Sequence, residues 1–148
     1  WTPMHAEESA LWSLDRKDGM EKAYCCFNSN ARDFARFGQL LLNNGQWDGQ
    51  QLISPAYLAE ATSPDTRLVY KDLGKPNHCY GFQYWILDYK GMKIPYMRGI
   101  LGQYVFTLPE KNAVIVRLGH KRSDTYTADQ HYPDDINTWL DAAMDLLQ

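Results

Sequence analysis

Apolar positions along this chain change their period twice. Between residues 30 and 62 they recur at helical spacing, from 80 to 118 they run in short β-prone stretches, and beyond 133 the helical spacing returns. Phe34, Ala35, Phe37, Leu41 and Leu42 mark the first helix. Asn30 stands where an N-cap belongs, and Asp33 three residues later completes a near capping box and favours the helix dipole. Asn43-Asn44-Gly45 predicts the stop, with Gly45 free to turn left-handed. A tight turn at Trp47-Asp48-Gly49 follows. Ser54 and Pro55 read as N-cap and first position of a short helix running through Thr62. Residues 1–22 read as irregular and polar, with a turn at Lys17-Asp18-Gly19. Residues 63–78 read as a surface loop.

The β-prone part comprises residues 80–87, 92–99, 103–108 and 113–118. Pro95 predicts an edge or bulged strand for the second run, because it cannot donate to a ladder. Pro109-Glu110-Lys111-Asn112 predicts a hairpin between the last two. Residues 123–132 are a polar loop. An amphipathic helix over 133–147 places Ile136, Leu140, Ala143 and Leu147 on one face. Helices, then antiparallel strands, then a packing helix define an α+β class. One domain is expected: 1–78 mainly helix and loop, 79–118 antiparallel strands, 133–148 the C-terminal helix. One helix on such a sheet covers one face, so a further segment is expected on the other.

The 148 residues suit one domain with a real core. A net charge of -3 and a pI near 5.7 argue against a nucleic-acid partner, which needs a clustered basic surface. His120-Lys121-Arg122 reads as a solvated loop. No apolar run approaches a membrane span. The chain opens Trp1-Thr2-Pro3-Met4, so its start is expected to be a processing or expression boundary. Adjacent Cys25 and Cys26 with distant Cys79 give no disulfide framework and no zinc spacing; buried free thiols are expected. His5, His78, His120 and His131 lack the spacing of a metal site, and neither metal nor cofactor is expected.

Three blocks carry a resemblance. The first runs from Ala23 to Gly38, with Ala31-Arg32-Asp33-Phe34-Ala35-Arg36-Phe37-Gly38 at its centre. The second is Leu41-Leu42-Asn43-Asn44-Gly45-Gln46-Trp47-Asp48-Gly49, continuing to Ser54-Pro55. The third joins Tyr80-Gly81-Phe82-Gln83-Tyr84-Trp85 to Gly99-Ile100-Leu101-Gly102-Gln103 and Pro109-Glu110. In this order, over nearly the whole chain, they resemble the C-terminal portion of the serine beta-lactamase and penicillin-binding-protein-like hydrolases. The wording is most similar to the esterase and nylon-oligomer-hydrolase-like branch, related to class C beta-lactamases.

The resemblance implies part of a beta-lactamase/transpeptidase-like fold. It also implies acyl transfer on an ester, amide or beta-lactam bond of a small-molecule or peptide-like substrate, through a serine activated by an adjacent base. None of Ser9, Ser13, Ser29, Ser54, Ser63 and Ser123 is followed three residues later by Lys, and no Tyr-x-Asn occurs. Both boxes are expected in a missing N-terminal segment of the same protein, because residues 1–6 resemble the stretch that follows them. The chain alone is then inactive.

The family's third box falls on Met97-Arg98-Gly99, and Ile100 follows as a backbone oxyanion donor. Met97 replaces the lysine of penicillin-recognising members, which favours esters, amides or peptides over beta-lactams. Met97, Gly99, Gly102, Gln103, Cys25 and Cys26 are the implied substrate-binding residues, with Arg98 pointing away from the reacting carbonyl. A periplasmic or exported location follows from the family alone. Without its other part, the sheet is expected to expose Phe82, Tyr84, Ile100 and Val105 and to self-associate. The alternative is a non-catalytic binding or structural module on a hydrolase scaffold.

Overall fold

A computed structural model describes residues 1–70, 74–128 and 131–147. The predicted 63–78 loop, the 123–132 loop and the 133–148 helix each fall in part outside these residues. In chain order the elements are β1 (Leu11–Trp12), β2 (Phe27–Asn28), α1 (Ala31–Leu42), β3 (Gln46–Trp47), β4 (Gln50–Gln51), α2 (Pro55–Ala61), β5 (Val69–Tyr70) and β6 (Lys75–Pro76). They continue with β7 (Trp85–Tyr89), β8 (Met92–Arg98), β9 (Tyr104–Leu108), β10 (Ala113–Arg117) and α3 (Asp135–Leu146).

Local sequence rules explain the helix ends. The Asn30 side chain accepts from the Asp33 N–H at 2.8 Å and donates to its carboxylate at 2.8 Å. Asn43 and Asn44 close α1, and Gly45 turns left-handed at φ 80°. Asp33 does more than cap. It is fully buried and accepts the N–H groups of Glu7 and Glu8 at 2.8 and 3.1 Å and the Arg36 guanidinium at 2.9 Å. Burial works against its charge, but these donors hold its carboxyl below the usual range.

Residues 1–22 are largely irregular and turn at Lys17-Asp18, as the sequence predicted, but they are tied to the rest of the fold. Thr2–Met4 form a 3-10 turn, and β1 pairs antiparallel with β2. The Phe27 ring meets Trp1, Trp12 and Phe34 edge-on at 5.0, 5.3 and 6.1 Å. Two-residue strands are too short to show an alternating pattern, so aromatic packing orders what periodicity cannot reveal.

The main sheet has the order β10-β9-β8-β7, every pair antiparallel. The β9–β10 hairpin forms through Pro109–Lys111, pairing Ala113 with Leu108 and Arg117 with Tyr104. Pro95 does not push its strand to an edge: β8 is internal, between β7 and β9. Its ladder with β7 passes Pro95, whereas its ladder with β9 covers only Tyr96, Met97 and Arg98 and stops at the proline. The Thr107 hydroxyl donates to the Pro95 carbonyl at 2.6 Å and continues the contact there.

Residues opposite one another share a face, so the register sorts the side chains. Leu87, Tyr89, Ile94, Tyr96, Tyr104, Phe106 and Leu108 form the core with Ile136 and Leu140 of α3. The helix starts at Asp135 rather than Pro133, and its inner stripe is Ile136, Leu140 and Met144; Leu147, expected inside, is 39% exposed.

The other face is not left bare at this end. There α1 packs on β9 and β10, with Gly38 so close that a Cβ would lie 2.5 Å from Val114. Val105 sits under that contact at 5% exposure, and Tyr84 is buried at 9%, so neither is the exposed surface predicted; Phe82 and Ile100 are exposed. The sequence pattern could not reveal that α1 folds back onto the sheet, because its apolar stripe is equally suited to any partner.

Candidate functional site

Gly99, Ile100, Gly102 and Gln103, picked from the third block, gather in one loop, 99–103, which joins β8 to β9, while Met97 stays on β8. The Gly99 N–H closes it on the Gln103 carbonyl at 2.8 Å. Ile100–Gly102 make a 3-10 turn rather than a strand extension, and Leu101 and Gly102 take φ of 58° and 83°. A Cβ on Gly102 would lie 1.7 Å from the Arg117 guanidinium, so this position requires glycine for space as well as for conformation.

Arg117 donates to the Gly102 carbonyl at 2.6 Å. The Gln103 side chain forms a two-way amide pair with the backbone of Gly119, donating to its carbonyl and accepting its N–H at 3.1 Å. Gly102 and Gln103 are thus occupied in bracing the loop. Arg117 and Gly119 are the residues the sequence reading missed, since nothing in a strand end foretells where a guanidinium folds back.

Bracing leaves Ile100 at the tip, 80% exposed, its N–H unbonded among the described residues. Met97, opposite Val105, lies on the α1 face. Arg98 points to the other face, where it stacks on Trp85 at 3.4 Å and donates to the His131 carbonyl at 3.0 Å. The alternation of strand residues accounts for both directions.

Cys25 and Cys26 lie in a separate loop before β2, not in the 99–103 loop. They are not buried free thiols: they are bonded to each other, and Cys26 is exposed. Cys79 is buried and in no disulfide, as expected. Trp12 on β1 holds the disulfide loop, its indole N–H shared between the carbonyls of Lys22 and Cys25 at 3.0 and 3.1 Å. The sequence reading sought bridges between distant cysteines and so passed over the adjacent pair. Thiol titration should find no reactive thiol in the native oxidised chain, two after mild reduction, and a third only in denaturant. Two reactive thiols before reduction would refute the bridge.

An open depression beside α1, lined by Glu7, Arg32, Arg36, Gln39 and Trp47, includes none of the predicted site residues. Among the described residues no cluster of His, Cys, Asp or Glu could hold a metal ion.

The fold is α+β, part of a beta-lactamase/transpeptidase-like fold. Among solved structures the chain is similar to a Bacillus anthracis protein described as a 6-aminohexanoate-dimer hydrolase, at 26% identity and a TM-score of 0.70. The match covers 95% of this chain and 34% of that one, so the chain spans about a third of its neighbour's length. No family model and no curated protein sequence matches the chain.

Proposed function

We propose that this chain is the C-terminal part of a serine hydrolase that works by acyl transfer, and that the 99–103 loop supplies one oxyanion donor through the Ile100 N–H. The observation that carries the reading is the braced loop: side chains of Arg117 and Gln103 fix it from behind, while Ile100 is 80% exposed and its N–H has no partner among the described residues. A pre-oriented backbone donor of this kind stabilises the negative oxygen of a tetrahedral intermediate without reorganising during the reaction.

Met97 and Gly99 flank that point, and Met97 cannot hold a substrate carboxylate. Esters, amides and peptide-like bonds therefore fit better than beta-lactams. Cys25 and Cys26 enter this reading only through the resemblance, as residues lining the cleft. The nucleophile and its base come from the segment that carries Ser-x-x-Lys and Tyr-x-Asn.

Groups that act as a unit lose nearly everything when one is absent. The 148-residue chain by itself should hydrolyse neither a chromogenic ester nor a chromogenic cephalosporin above the buffer rate. Turnover by the chain that persists after Cys25 and Cys26 are both replaced by serine would overturn the assignment.

A further inference from the structure

The α3 face of the sheet holds a concentration of positive charge, of which the 99–103 loop uses only Arg117, as a brace. Arg98, Tyr104 and Arg117 are direct cross-strand partners on β8, β9 and β10, so they stand in one row. The Arg117 guanidinium lies 5.6 Å from the Tyr104 ring centre and 4.6 Å from that of Trp139 on α3. Arg98 and Arg122 approach the same Tyr126 ring at 5.9 and 5.0 Å.

Each guanidinium donates to backbone carbonyls: Arg98 to His131, Arg117 to Gly102 and Lys121, Arg122 to Ser123. None of the three forms an ion pair with a carboxylate among the described residues.

Two polar atoms at this place are buried without a hydrogen-bond partner: the hydroxyl of Tyr104, a residue only 1% exposed, and Oδ1 of Asp135 in the first turn of α3. Burial pushes the Tyr104 phenol up to about 12; Asp135 adds to the rise while Arg117, Arg122 and Arg98 oppose it, so all four charges act on this hydroxyl. A buried hydroxyl without a partner is costly, and three arginines beside the one carboxylate of Asp135 leave positive charge in excess among the described residues. An anion seated among them removes both costs. Guanidinium groups match oxoanion geometry, and the first turn of the 12-residue α3 adds its dipole.

We propose that Arg98, Arg117, Arg122 and the Tyr104 hydroxyl form a binding site for a phosphoryl oxoanion. Asp135 sets the selectivity: its unpartnered Oδ1 accepts the proton of a hydrogen phosphate, whereas sulfate at neutral pH brings no proton and is repelled. The site lies on the opposite face from Met97 and shares only Arg117 with the 99–103 loop, so its test rests on Tyr104 and Arg122, which the acyl-transfer reading does not use.

The test is calorimetric titration and thermal melting of the 148-residue chain with inorganic phosphate, sulfate and glycerol 2-phosphate, at constant ionic strength and pH 7. Phosphate at a hundredfold its Kd should raise the Tm by about 5 °C. Sulfate should bind at least about tenfold more weakly, and Asp135→Asn should narrow that gap. Tyr104→Phe deletes only an unpartnered hydroxyl, so its ligand-free Tm should stay level or rise while its phosphate affinity falls about tenfold. Arg122→Gln should weaken phosphate by a similar factor, and Arg67→Gln, on the remote Asp65 ion pair, should not.

A phosphate monoester has largely lost its proton at pH 7, so the sources are compared at pH 6 as well: glycerol 2-phosphate binding as tight as phosphate there identifies the phosphoryl group of a larger molecule as the ligand, and its exclusion there identifies free phosphate. No stabilisation by phosphate at millimolar concentration, or binding untouched by both Tyr104→Phe and Arg122→Gln, overturns the proposal.

Discussion

In the full-length protein, Ile100→Pro is expected to lower turnover about 100- to 1,000-fold, the usual effect of losing one oxyanion donor, while Ile100→Val stays near the parent rate. The substitution removes the N–H and little else. Ile100 is 80% exposed, so its side chain contributes little packing. It opens the 3-10 turn, a first position that proline tolerates because the N–H there has no partner to lose. Gly99 before it is already extended, at φ -101° and ψ 175°, which suits a residue preceding proline. The fold should therefore survive, and circular dichroism checks that it does. A folded Ile100→Pro enzyme with the parent's turnover would remove Ile100 from the site, and with it the placement of the third box at Met97-Arg98-Gly99.

Phe106→Ala should cost about 3–5 kcal/mol of stability, the range for emptying a buried aromatic site. Phe106 is fully buried at the centre of the sheet, stacked with Tyr96 at 5.2 Å and tilted against Tyr104 at 5.4 Å. Both neighbours are large rings fixed by the sheet, Tyr96 on β8 and Tyr104 on β9 itself, so the space cannot collapse. With about 2–4 °C of Tm per kcal/mol for a chain near this size, the melting point should fall by about 10 °C. Leu146→Ala is the control: that residue is 86% exposed and should change stability by less than about 0.5 kcal/mol. Equal melting points for the two variants would mean that the core is not where the register places it.

The local signals were legible in the sequence because each is decided within a few residues. Asn30 capping on Asp33, Gly45 ending α1, Ser54-Pro55 opening α2 and Pro109–Lys111 turning the hairpin all satisfy backbone groups close by in the chain. The pairing of β9 with β10 followed from the turn, and the faces of β8 from its period of two. The 99–103 loop was marked by its glycines before its geometry was known.

What the tertiary structure decided are the contacts between distant segments. Pro95 predicted an edge strand by a rule about its own N–H, yet a strand needs that donor on one side only, and the ladder to β9 simply stops there. The sheet face expected to be bare is partly covered by α1, because Gly38 lets the helix approach Val105 and Val114. Asp33 read as a helix cap, but its burial draws in the backbone of Glu7 and Glu8 and so orders the first residues. Arg98, Tyr104 and Arg117 stand on three successive strands and become a row only through their register. Sequence alone determined where elements begin and end, since hydrogen bonding and φ are local. Which faces meet was left to packing, because an apolar stripe specifies that it must be buried and not what will bury it.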